Sequence, residues 1–323
     1  MTTSPAIISP DRLRRGFAAL PWLIAAAMLA YAFVAGGYFV TVMSFAMIYA
    51  VFVIGLNVFM GTAGQVTFGH NAFAALSGYA SAVLTATYGW EPIAAFAVGL
   101  GLALIVALAV GWPTLKLKGH YLAMATLAIG LIVYEVAIQW QSVTQGYMGI
   151  SGIPPLGIAG HEVDSDRGKL VTLAVIVVLS SLAAARLRAS RFGRALSAIA
   201  GSEDAARALG IDVAHYKLAA FLVSAAYAAV AGSLFVHVVE FVSPEVFGLH
   251  MVVLAFTMLY VGGIGTLGGP ILGAVIISLL PEVFRGLKDY QDLFYGAGLV
   301  LLLIYAPKGL AALGDLLPRK GGA

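Results

Sequence analysis

Runs of about twenty residues without a charge recur along this chain, and no other feature limits its possible folds so severely. An α-helix rising about 1.5 Å per residue needs roughly 20 apolar residues to cross about 30 Å of hydrocarbon. Of the 323 residues, 61% are hydrophobic and only 10% charged, far below the roughly 25% charged residues of a soluble domain. Lipid is therefore the main solvent. The pattern predicts an all-α polytopic membrane protein with about ten transmembrane helices, over 17–36, 39–60, 72–88, 93–115, 121–141, 170–187, 217–238, 250–267, 270–285 and 292–306. One membrane domain over 17–310 follows, flanked by short segments at 1–16 and 311–323.

The charges give this array a direction. Cysteine is absent, which excludes disulfides, thiolate metal sites and cysteine nucleophiles. The net charge of +3 is dispersed over short loops instead of forming the single patch expected of a nucleic-acid binder. With the N-terminus in the cytoplasm, that side receives fourteen lysines and arginines, among them Arg12, Arg14, Arg15, Lys116, Lys118, Arg207 and Lys217. The opposite side receives four, Arg167, Lys169, Arg285 and Lys288. This is the asymmetry of the positive-inside rule, and it puts both termini in the cytoplasm. The apolar stretch after Arg15 is too long for a typical signal-peptide core, so it is expected to be a retained span.

Two stretches interrupt the apolar pattern. Gly61-Thr-Ala-Gly64-Gln65-Val-Thr-Phe-Gly69-His70-Asn71 and Gly262-Gly263-Ile-Gly265-Thr-Leu-Gly268-Gly269-Pro270 each open an apolar helix. An unbroken helix through either would be costly, and irregular backbone at membrane depth survives only in protein or against a wet cavity. The pair serves either close helix packing or a translocation pathway. The long outward loop at about 142–169, with Gly146, Gly149, Gly152, Pro154, Pro155 and three acidic residues, is either a docking surface or a solvated connector.

The segment between the sixth and seventh spans carries a helix signal of its own. Ser202 is placed to cap the free N–H groups of a new helix, and Glu203 and Asp204 lie in its first turn, where carboxylates complement the dipole. Gly210 supplies a left-handed stop. The expected product is a two-turn helix outside the membrane, with Ala205, Ala208 and Leu209 along one uncovered face. Such a stripe suits docking into a groove on another protein.

The run Asp204-Ala205-Ala206-Arg207-Ala208-Leu209-Gly210 resembles the Glu-Ala-Ala-x-x-x-Gly loop by which permeases of ABC importers engage their ATPase subunits, with Asp204 in place of Glu. Further blocks resemble the LivM-like branch of branched-chain amino acid permeases. They include Gly55-Leu56-Asn57, Gly61-x-x-Gly64-Gln65-x-x-Phe68-Gly69-His70, Gly119-His120-Tyr121-Leu122-Ala123, Gly149-Ile150-Ser151-Gly152-Ile153-Pro154, Arg191-Phe192-Gly193-Arg194-Ala195-Leu196 and Pro307-Lys308-Gly309-Leu310. The resemblance spans nearly everything after residue 50. It departs from the family pattern at Leu131 and Tyr134, where Glu and Arg are usual, and at Gln145-Gly146, where two glycines are.

The resemblance implies an ABC importer permease fold in the bacterial inner membrane, a heterodimer with a homologous permease, two cytoplasmic ATPases and a periplasmic solute-binding protein. It also implies that Asp204, Ala205, Ala206, Ala208, Leu209 and Gly210 form the ATPase-coupling site within a loop near 188–216. The residues agree on one point: the sole Gly-Lys pair, Gly168-Lys169, is followed by Leu170, so no phosphate-cradling loop of the Gly-x-x-x-x-Gly-Lys-[Ser/Thr] type is present. No cofactor is expected on this chain, and ATP would be bound by partners. His161-Glu162 lacks the second histidine of a zinc-protease motif, and no constellation supports catalysis.

Ionisable side chains within hydrocarbon are functional candidates by default. Asn57, Gln65, His70 and Glu135 are the candidates for a translocation pathway, each with a packing alternative. The competing functional class, a secondary transporter coupled to an ion gradient, would normally need several intramembrane carboxylates; only Glu135 reads as lying well inside a span.

Overall fold

In a computed structural model of the chain, residues 37–158 and 161–283 are described, with isolated positions between 26 and 34 and between 293 and 310. The elements labelled here are α1 (Tyr38–Asn57), α2 (His70–Ala86), α3 (Pro92–Thr114), α4 (His120–Gln139), α5 (Asp166–Ala189), α6 (Arg191–Gly201), α7 (Glu203–Ala208), α8 (Val213–Val239), α9 (Leu249–Gly262) and α10 (Gly269–Val283). Among the described residues, six helical stretches are long and apolar enough to cross a membrane: Tyr38–Thr62, α3, α4, α5, α8 and Pro244–Gly262. The chain is thus a multi-pass membrane protein. The seventeen-residue α2 and fifteen-residue α10 are shorter, because each begins only after a glycine-rich interruption. The first and last expected spans, and the basic residues near both termini, fall largely outside the described residues.

Helix α1 lies at the centre, packed on α5, α8 and α10, while α8 also contacts α2 and α3. The helices approach closely because their contact faces are small. On α3 the buried residues are Ala95, Gly99, Ala103, Ala107 and Gly111, one every four positions. That single small-residue stripe faces protein, while Ile105, Leu108 and Trp112 remain exposed. Between α2 and α8 the approach is backbone to backbone: a Cβ on Gly232 would stand 2.0 Å from the Ala74 carbonyl oxygen. The same seam carries the Ser77–Ser233 hydroxyl pair at 2.8 Å and the Ser81–His237 contact at 2.7 Å, so its polar groups are satisfied across helices instead of by water.

The loop at 142–169 is built into the fold. β1 (Ile150–Ser151) pairs antiparallel with β4 (Phe241–Val242), and β2 (Gly157–Ile158) pairs with β3 (His161–Glu162). Ile150 and Ile153 are buried, His237 Nδ1 lies 2.8 Å from the Pro154 carbonyl, and Lys169 pairs with Glu240 at 2.6 Å. The segment is therefore anchored to the bundle at these points, while Tyr147, Met148, Asp164 and Asp166 remain exposed.

Helix α6 is an element that the sequence reading above does not anticipate. Ser190 caps it, its Oγ accepting from Gly193 N–H at 3.3 Å, and Leu196 and Ile199 face the core. It delivers the chain from the end of α5 to α7.

Candidate functional site

The short helix α7 is built as its residues dictate. Ser202 Oγ accepts from the Ala205 N–H at 3.3 Å, and Glu203 and Asp204 occupy the first turn. At the other end Gly210 adopts φ +81°; its N–H donates to the Arg207 carbonyl, and the Ile211 N–H reaches back to Ala206. Those two bonds satisfy the last carbonyls with a left-handed cap. Helix α7 has six residues, shorter than the expected two turns. Ala205, Ala208 and Leu209 are exposed, Leu209 at 80%. Ala206 alone among the apolar residues of the set is buried, turned inward. Asp204 is exposed, pairing with Arg207 at 2.9 Å and standing 4.0 Å from Lys118.

The anchor of this helix is Glu203, a residue that sequence reasoning treated only as a dipole partner. Its Oε1 accepts from Lys217 Nζ at 2.9 Å and from Gln65 Nε2 at 3.2 Å. The Lys217 side chain is 3% exposed and that of Glu203 16%. In the sequence Lys217 counts only toward the positive-inside asymmetry; its place in the second turn of a long apolar helix is the signal that a buried carboxylate answers it. Beside the pair lies a cleft of about 440 Å³ bordered by Trp112, Lys116, Lys118, Arg207 and Lys217. The end of α3, the start of α8 and helix α7 therefore share one end of the bundle.

Burial alone would raise the Glu203 pKa, but the hydrogen bond and charge of Lys217, helped by Gln65 and Lys118, hold it below the ordinary carboxylate value. A group depressed in the folded state stabilises fully above its unfolded pKa of about 4.5 and loses that contribution as pH falls through the folded value. Limited proteolysis of the 190–217 loop is accordingly expected to be constant around neutrality and to accelerate only in acid below the carboxylate range. Acceleration at neutral pH would contradict the pairing.

The first glycine-rich interruption starts with a π-helical turn at Val58–Thr62 and runs irregularly to Gly69. The second falls between Gly262 and Gly269, with Gly263 and Gly265 at positive φ. The two meet. Asn57 Nδ2 donates to the Thr266 carbonyl at 2.7 Å, and Gly265 N–H donates to Asn57 Oδ1 at 2.8 Å. A Cβ on Gly61 would stand 2.7 Å from Gly265 N, so only glycine permits the approach. Arg188, at the end of α5, donates to the Gly265 carbonyl.

The four pathway candidates are thus engaged separately. Asn57 ties the two interruptions together, and Gln65 joins the first of them to α7. His70 is buried against Phe59, Phe73 and Phe221, its Nδ1 3.1 Å from Thr67 Oγ1. Glu135 lies on an exposed face of α4, accepting from Gln139 Nε2 at 2.5 Å.

A bundle with six helical stretches long and apolar enough to cross a membrane, small-residue seams and two backbone breaks that meet defines a multi-pass helical membrane protein. The chain belongs to the family described as branched-chain amino acid transport system / permease component, whose profile matches residues 38–304. It is 34% identical over 299 residues to the high-affinity branched-chain amino acid transport system permease protein LivM of Escherichia coli K12, covering 84% of this chain and 69% of that relative. It is also similar to LivH of the same organism, at 28% over 285 residues, 81% of this chain and 90% of LivH. The probable LivM permease of Methanocaldococcus jannaschii is 27% identical over 260 residues, 72% of this chain and 73% of its own. No solved structure matches.

Proposed function

We propose that this chain is the membrane-spanning permease subunit of an ATP-driven importer for branched-chain or similar amino acids. Its 190–217 loop faces the cytoplasm, where α7 docks on an ATPase subunit, and both termini lie on that side of the inner membrane. A homologous permease completes the pathway, a second ATPase serves that partner, and a periplasmic solute-binding protein delivers substrate. The observation that carries this reading is α7: a helix too short to persist alone in water, capped at both ends, with Ala205, Ala208 and Leu209 uncovered. Of the described basic residues, Lys116, Lys118, Arg188, Arg191, Arg194, Arg207 and Lys217 belong to the elements at that end, in keeping with a cytoplasmic position. ATP enters through partners because this chain lacks a phosphate loop.

Glu135 keeps one competing reading alive, that of ion-coupled secondary transport, since it is a carboxylate within an apolar helix. Reconstitution separates the two. Uphill amino acid uptake is expected only when the ATPases are present with ATP, and purified chain alone driving uptake from an ion gradient would overturn the importer. The Glu135→Gln variant is expected to lower uptake only modestly while leaving it ATP-dependent, because the side chain is exposed and glutamine still accepts from Gln139 Nε2. Complete loss with normal assembly would instead favour ion coupling.

A further inference from the structure

The contacts of α7 lead into the membrane, and they do so through few atoms. We infer that Glu203 is a positioning residue that transmits movement of the docked helix to the glycine-rich interruption at 61–69, gripping α8 through Lys217 and the interruption through Gln65. The inference rests on the docking role proposed above. Glu203 is the first residue of α7, and both of its inward partners bind the same oxygen, Lys217 at 2.9 Å and Gln65 at 3.2 Å. Gln65 Nε2 also lies 3.3 Å from the Ala63 carbonyl, inside the interruption. A second contact runs parallel to this one. Gly64, at φ +67°, sits against Ala200 near the end of α6, where a Cβ would approach the Ala200 Cβ to 3.0 Å.

Residues 63–69 lie outside regular helix, so they lack the repeating hydrogen-bond ladder that makes neighbouring helices stiff. Displacement of α7 is therefore taken up there first. The movement does not end at Gln65, because Gly61 abuts Gly265 and Asn57 holds the 265–266 backbone in two hydrogen bonds. Both interruptions then shift as one unit. Arg207 approaches the other oxygen of Glu203 at 3.5 Å from the exposed side, and Lys118 faces the carboxylate from the end of α3. Neither reaches the interruption, so neither substitutes for Gln65 in the chain of contacts.

The test uses the whole transporter in proteoliposomes, with ATP hydrolysis and amino acid uptake measured together. Glu203→Gln alone would leave Lys217 buried without its counter-charge, so the informative variant is the doubly neutral Glu203→Met/Lys217→Met, in which neither charge is stranded and no acceptor is left for Gln65. Gln65→Leu provides a second test that leaves the ion pair intact. Each is expected to assemble with the ATPases, while amino acid imported per ATP hydrolysed falls by about tenfold, within the usual 5–150-fold range of coupling between sites. A purely structural pair predicts that the double variant keeps the parental ratio, and that result, or a parental ratio in Gln65→Leu, overturns the inference. If the double variant fails to assemble, Gln65→Leu alone decides. Absence of ATP-dependent uptake by the parental complex would be a failure of the importer reading, seen before any variant is compared.

Discussion

Replacing Ala205 and Leu209 together by aspartate is expected to strip the ATPase subunits from the detergent-extracted complex while leaving the chain inserted and folded. Both side chains are exposed, Leu209 at 80%, so neither contributes to the internal packing of the bundle. In a docked complex a buried leucine contributes about 1.5–3 kcal/mol, and a carboxylate buried there without a partner costs several more. Every 1.4 kcal/mol is tenfold in affinity, so the double change weakens docking by roughly a thousandfold or more. The adjacent Ala206 is the control, since it is buried. Ala206→Asp is expected to loosen the loop itself, seen as faster proteolysis. Unchanged recovery of ATPase with the Ala205/Leu209 variant would remove α7 from the interface, and so would labelling that places the loop outside the cell.

The largest effect on folding is expected at Gly232. A Cβ there would lie 2.0 Å from the Ala74 carbonyl oxygen and 2.6 Å from its carbon. The obstacle is backbone, not the movable tip of a side chain, so α2 and α8 would have to separate along their length. Separation also breaks the Ser77–Ser233 and Ser81–His237 contacts, whose stranded groups cost about 1–3 kcal/mol each on top of about 1–3 kcal/mol for overpacking. Gly232→Leu should therefore give no detergent-stable protein by size-exclusion chromatography. Gly101, in the interior of α3, is the matched control: a Cβ there meets nothing within 4 Å, and Gly101→Leu should elute as the parent does. A Gly232→Leu variant with parental thermal stability would mean that α2 and α8 do not pack in this way.

Much of the candidate site is legible in local sequence because its signals are short-range. Ser202 lies three residues from the N–H that it caps, and Gly210 ends its helix in the left-handed conformation that glycine adopts most readily; both are found in place. Helix α6 is equally legible in Ser190 and in Phe192, Leu196 and Ile199 at helical spacing, even though Arg191 and Arg194 lie within it. The stems of such residues lie along apolar surface while their charges remain in water. What local reading could not supply is the set of partners. Gln65 and Glu203 are 138 residues apart, and Asn57 and Gly265 are 208 apart. No pattern at helical spacing records a contact that exists only once two distant segments have folded against each other.

Order along the chain was enough to establish that this is a helical membrane protein and where its apolar pattern breaks. Each of these follows from the transfer of apolar groups out of water or from the backbone preference of single residues. Which helices are interior was decided by assembly. The apolar window of α3 is only 22% buried, whereas that of Tyr38–Thr62 is 72% buried. Hydrocarbon and protein interior both exclude water, so an apolar sequence satisfies either. Among the described residues, small-residue seams and buried polar contacts such as Ser77–Ser233 and Glu203–Lys217 mark the surface that meets protein.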